Sequence, residues 1–141
     1  MPVTIARPKG DPGYFQNLPC TTESADPARC LVSTALAVWA MDSLVDDAAL
    51  VVSELVGNAV RHTRSHLIRV TVTRLAQDTV LVAVADRDKA EVVRRNPGPD
   101  DTNGRGLMLV EALTERWGVT YLPWGKRVWA QLKDAGARTS P

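Results

Sequence analysis

The sequence predicts a two-layer α/β sandwich, an α+β arrangement in which one mixed or mainly antiparallel sheet is covered on one face by three helices. Three observations lead there. Apolar residues recur at helical spacing in three stretches, alternation of apolar and polar residues marks the segments between and after them, and these alternating segments arrive in adjacent pairs. Paired strands joined by short turns make hairpins, and a sheet of hairpins leaves one apolar face for helices to cover.

The elements follow in order. Residues 1–13, with three prolines and two glycines, read as a loose arm, and YFQNL at 14–18 reads as a short possible strand, so 1–23 form an N-terminal arm. The fold proper is expected from about Ser24. Asp26 offers an acceptor to free amides and Pro27 a fixed φ suited to a first turn, which starts a helix carrying Leu31, Ala35, Val38 and Trp39 at helical spacing. Asp42 and Ser43 start a second helix, with Asp46 and Asp47 in the first turn, where the helix dipole favours negative charge. Its stripe is Leu44, Ala48, Val51, Val52, Leu55 and Ala59, and it runs to about His62.

The period then drops to two. In HLIRVTVTRL, Ile68, Val70 and Val72 alternate with Arg69, Thr71 and Thr73, whereas DTVLVAVAD is almost continuously apolar and is the more buried strand, with Asp78 in the turn between them. From Arg87 to Asn103, a stretch containing NPGPDD, no period is visible, and so long a connection is a functional lid or a disordered segment. A third helix is expected from about Gly106 to Arg116, with Gly118 just past its end, followed by strands VTYL and RVWAQL joined through PWGK. Residues 24–133 thus read as one domain, with a frayed, disordered tail at 134–141.

Composition narrows the class. A chain of 141 residues, 45% apolar and 23% charged, can bury a single core without metals or disulfides. Seventeen cations against sixteen acids argue against direct binding of nucleic acid, which calls for a basic excess. No run of 18 apolar residues and no apolar leader is present, so a cytoplasmic protein is expected. Cys20 and Cys30, too few for a disulfide framework, read as small buried hydrophobes, and Trp39, Trp117, Trp124 and Trp129 as core and sheet-edge packing. His62 and His66 straddle the expected helix end without a third ligand, and Gly125–Lys126 lacks the spacing of a P-loop.

Three polar intrusions into apolar elements carry the chemistry. Glu54 and Asn58 stand four apart in SELVGNAVRHT and share a helix face that borders the apolar stripe, where they need partners: a loop, or a ligand. Asp86 ends the apolar strand; it can cap a turn, or it can accept from an exocyclic amine at a pocket mouth, since an ionised aspartate only accepts. Gly104-Arg105-Gly106 opens the third helix; it is a flexible joint, or a cradle in which backbone amides and the helix N-terminus meet an anion.

In this order the three resemble the Bergerat-type ATP-binding domain of the gyrase and histidine-kinase ATPase superfamily, and within it the stand-alone anti-sigma-factor serine/threonine kinases of actinobacteria. The resemblance covers about Ser24 to Lys133: ELVGNAVRHT is similar to the N box, VAVADRD to the first glycine box, GRGLMLVEAL to the second and GKRVWAQL to the closing strand. It implies ATP and Mg²⁺ as cofactors, with Asn58 as a Mg²⁺ ligand and Glu54 as the general base. It also implies that Asp86 accepts from the adenine amino group and that Gly104, Arg105, Gly106 and Leu107 contact the phosphates. The implied partners are a sigma factor and an anti-sigma-factor antagonist, the latter a phosphorylation substrate, with a possible homodimer.

The first glycine box departs from that family's Asp-x-Gly-x-Gly, reading Asp86-Arg87-Asp88-Lys89-Ala90. That departure defines the alternative, a catalytically inactive protein-binding module on the same fold with weak or no nucleotide binding.

Overall fold

The computed structural model describes residues 3–6, 11–87 and 102–134, with side chains described over 11–87 and 108–134. Most of the expected lid (88–101) and the tail from 135 onward lie outside the described residues.

The elements are β1 (Val3–Ala6), β2 (Pro12–Pro19), α1 (Ala25–Val38), α2 (Val45–His62), β3 (Leu67–Ala76), β4 (Thr79–Asp86), α3 (Thr102–Leu113), β5 (Arg116–Leu122) and β6 (Gly125–Lys133). They build a six-stranded sheet in the order β1-β2-β3-β4-β6-β5, in which every pairing is antiparallel, with helices on one face. The expected fold class is the observed one. The arm before Ser24 contributes two strands of that sheet, because Gly13 through Pro19 pair residue by residue with Thr73 through Leu67.

Each helix stripe finds the sheet. On α1, Ala28, Leu31, Val32, Ala35 and Leu36 are buried, and on α2, Val51, Val52, Leu55, Val56 and Ala59 are buried against Ile68, Val70, Val72, Val82 and Val84. Each fully buried aliphatic side chain of this kind contributes about 1.5–3 kcal/mol, so the layer contact between α2 and the central strands outweighs any single polar feature of the helix. Val38 was expected in the α1 stripe and points out instead, 61% exposed, since the buried face continues through Val32 and Leu36.

The helix ends have local causes. α1 begins one residue before Asp26 and follows a 3₁₀ turn at Thr22–Ser24; Asp26 pairs with Arg29 rather than capping, and the Ser24 hydroxyl donates to the Pro19 carbonyl. It ends on Ala40 in the left-handed region (φ 57°), where the Met41 amide donates to the Leu36 carbonyl (2.8 Å) and the Ala40 amide to the Ala37 carbonyl (3.1 Å). Those two bonds are the paired closure of a Schellman turn, with Met41 and Leu36 both buried as its apolar contact. α2 runs to His62 as expected and carries Asp46 and Asp47 in its first turn.

α3 departs from expectation at both ends. It starts at Thr102, so Gly104-Arg105-Gly106 lies inside its opening residues, and it stops at Leu113, three residues earlier than expected. There the Thr114 hydroxyl donates back to the Val110 carbonyl (2.7 Å) and the Glu115 amide donates to the Gln131 carbonyl (2.8 Å), which starts the sheet ladder. Gly118 therefore belongs to β5, where a Cβ would lie 2.8 Å from Cζ2 of Trp129; the glycine serves that close crossing and ends no helix.

Candidate functional site

The end of the sheet at which β4 finishes is set by topology. β3 starts five residues after α2 ends, and its first residues pair with the last of β4 (Arg69 with Ala85), so Asp86 lies at the sheet end to which α2 delivers the chain. The Cys20 amide donates to the His66 carbonyl (2.9 Å) and closes β2 onto that corner. α3 packs against α2, and its C-terminus feeds β5 at Arg116, whose partner Gln131 is far along β6 from Lys126. The glycine-bearing turn of α3 is thus at the opposite end of that helix from its anchor on the sheet.

On α2, Glu54 and Asn58 are half-buried, as their place beside the apolar stripe requires. Oδ1 of Asn58 and Nε2 of His62, one turn further on, are buried and have no hydrogen-bond partner among the described residues. A loop partner for Asn58, the simpler of the two sequence readings, is not found among them. A buried amide oxygen without a donor costs about 1–3 kcal/mol, a deficit that a ligand can relieve. Its chemistry suits Mg²⁺, which takes oxygen ligands.

Asp86 is 3% exposed and directly opposite Lys126 across the β4–β6 ladder. Nζ of Lys126 is 3.3 Å from Oδ2 and 3.4 Å from Oδ1, with both side chains almost wholly out of water. The alternating pattern puts Asp86 on the helix-covered face with Val80, Val82 and Val84, and an uncompensated carboxylate there would be expensive. Lys126 supplies the charge. A carboxylate has about four acceptor positions, so Asp86 can hold the ammonium and still accept from an amine. The sequence reading set Lys126 aside with the P-loop; only the register between strands forty residues apart reveals it. Gly125 is fixed by the same corner, since a Cβ there would overlap the Asp86 carbonyl oxygen and stand 2.7 Å from Cα of Arg87.

Cys20 faces this pair. Burial first, and the Asp86 carboxylate second, push its thiol above the ordinary range, while Lys126 pulls it back. Neither cysteine is a buried hydrophobe: Cys20 is half-buried and Cys30 exposed on α1. Trp124 also departs from a packing role, being 48% exposed in the β5–β6 turn.

An open cavity of about 780 Å³ lies at this end of the sheet, with Asp86, Ser65, His66 and Trp124 among its lining residues. Of the predicted site residues whose side chains are described, Asp86 lines it, and Glu54 and Asn58 do not. The backbone of Gly104, Arg105, Gly106 and Leu107 is helical.

A helix with a half-buried acid and an unsatisfied amide, beside an antiparallel sheet that ends in a buried aspartate, is the arrangement that the sequence resemblance implies. Residues 18–132 match the histidine kinase-like ATPase domain, and the chain belongs to that family. No curated protein matches it significantly. Among the described residues, no helix is long and apolar enough to cross a membrane.

Proposed function

We propose that the chain is an ATP-binding regulatory protein of the anti-sigma-factor type, a serine/threonine kinase toward an antagonist protein. The observation that carries this reading is the buried Oδ1 of Asn58, which has no partner among the described residues and lies one turn from Glu54 on the same face of α2. Asn58 would hold Mg²⁺, and Asp86 would accept from the adenine amino group while retaining Lys126. Gly104, Arg105, Gly106 and Leu107 would meet the phosphates. The opening residues of α3 have amides without intrahelical acceptors, and the two glycines admit close approach to the backbone.

Bound Mg-ATP supplies the transferable phosphoryl group and the cation that offsets its charge. Glu54 is then the group that takes up the proton released by a serine or threonine hydroxyl. Exchange between a sigma factor and an antagonist follows if nucleotide favours one surface conformation over another, as any ligand-driven shift must. Transfer of label from γ-labelled ATP to a candidate antagonist tests the kinase. Glu54→Gln should retain nucleotide binding and lose transfer by about 10²–10⁴-fold. Equal transfer by both proteins would exclude Glu54 as the base.

Two observations favour a second reading, a catalytically inactive protein-binding module with weak or no nucleotide binding. Lys126 already occupies the carboxylate to which an adenine amine would bind, and the glycines expected at 88 and 90 are Asp88 and Ala90.

A further inference from the structure

Cross-strand partners share a face, so on the helix-covered side of the sheet Asp86 and Lys126 stand next to a row made of Val70, Val84, Val128 and Val119. Ile68, at the start of β3, is 1% exposed and apolar as well. A lysine reaching into such surroundings needs an acceptor for each N–H that it brings, and an ammonium brings three. Among the described residues the hydrogen-bonding partner of Lys126 is the Asp86 carboxylate, which Nζ straddles at 3.3 Å and 3.4 Å from its two oxygens. Both distances exceed the usual range of about 2.7–2.9 Å for a bond between charged groups, so the ammonium is not drawn tightly onto either oxygen. Three divergent protons cannot all be aimed at two oxygens of one planar group. At least one N–H of Lys126 therefore points elsewhere, on a side chain that is only 9% exposed. Behind the pair the corner is closed, because Gly125 backs onto the Asp86 carbonyl with no room for a Cβ.

We infer that Lys126 is a specificity-determining residue for the nucleotide base: its remaining N–H donates to N1 of adenine while Asp86 accepts from the N6 amine beside it. The inference rests on the nucleotide-binding reading above and names how that site selects its base. The edge of adenine presents a donor next to an acceptor, and Asp86 with Lys126 presents an acceptor next to a donor. The amine has a ring nitrogen on either side, N1 and N7, and burial chooses between them. N7 belongs to the five-membered ring that carries the sugar, which leads to the phosphates and hence towards Asn58 and α3. N1 lies on the edge remote from the sugar, the edge that meets a closed corner. Inosine reverses both groups, setting an oxygen against the carboxylate and an N1–H against the ammonium, so the pair that welcomes adenine rejects it.

The test is calorimetric titration of the intact protein, in Mg²⁺, with ATP, 1-deaza-ATP (in which N1 is a C–H), 7-deaza-ATP and ITP. One hydrogen bond to a charged donor is lost with 1-deaza-ATP, which should bind about tenfold or more weakly than ATP. The 7-deaza analogue should bind as ATP does, and ITP more weakly than 1-deaza-ATP. Lys126→Met, checked for folding by circular dichroism, should bind ATP and 1-deaza-ATP alike; if it does not fold, the comparison on the wild type decides alone. Equal affinity of the wild type for ATP and 1-deaza-ATP would make Lys126 a counter-ion for Asp86 and nothing more, overturning the inference while the nucleotide-binding reading stands. A loss confined to 7-deaza-ATP, or ITP bound as tightly as ATP, would overturn it too. No saturable heat with ATP would contradict the nucleotide-binding reading itself and the inference with it.

Discussion

Lys126 and Asp86 meet head-on across β4 and β6, 3.3 Å apart and shut away from water, at the corner where family resemblance puts the adenine amine. Removing either partner takes away the facing counter-charge of a buried ion. Lys126→Met or Asp86→Leu should each cost about 3–5 kcal/mol, and the double variant should regain most of that loss, since an apolar pair of similar volume avoids the desolvation altogether. Urea denaturation of the four proteins measures the coupling. Additive losses would show that the pair is not a unit.

The thiol of Cys20 reports on the same pair. Because burial and the Asp86 carboxylate both raise its pKa and Lys126 opposes them, less thiolate is present at a given pH than in an exposed cysteine. In a Cys30→Ser background, Asp86→Asn should speed labelling of Cys20 by a maleimide several-fold at fixed pH, and Lys126→Met should slow it. The reverse order would mean that the thiol does not sense this pair.

Ala40 occupies a conformation suited to glycine. The left-handed backbone costs an L-residue about 1–2 kcal/mol, partly offset by the greater unfolded-state entropy of glycine, so Ala40→Gly should stabilise the protein by about 0.5–1 kcal/mol. Thermal unfolding checks it; a lowered midpoint would contradict the assignment of this turn.

Gly118→Ala should cost about 1–3 kcal/mol, because its Cβ would press on the Trp129 indole, which is itself tied to Thr120. Trp129→Ala should relieve much of that cost in the double variant. A neutral Gly118→Ala would show that the indole moves freely.

Strong periodicity made much of this legible in advance. The α2 stripe and the alternation of Ile68, Val70 and Val72 specify a helix and a half-buried strand with little competition, and both elements are where the pattern puts them. Asp86 was legible as the polar end of an apolar run. The start of α3 was not, because glycines lower helix propensity, yet near a helix N-terminus the backbone amides lack intrahelical acceptors anyway and packing on α2 decides the outcome. Lys126 and the Gly118–Trp129 crossing depend on strand register, which joins residues far apart in the chain and leaves no local periodic trace. The split between buried Val32 and exposed Val38 likewise follows from how α1 lies on the sheet.

Asn58 supports the account most directly, because its Oδ1 is buried with no partner among the described residues, a cost to the isolated fold. Asn58→Leu should therefore raise the urea midpoint by about 1 kcal/mol in stability, so any loss of binding would not reflect unfolding. Calorimetric titration of the wild type and this variant with Mg-ATP is the deciding measurement. The account predicts saturable heat in the wild type that disappears, or weakens more than tenfold, in the variant. Identical heats in the two proteins, or none in the wild type, would contradict it.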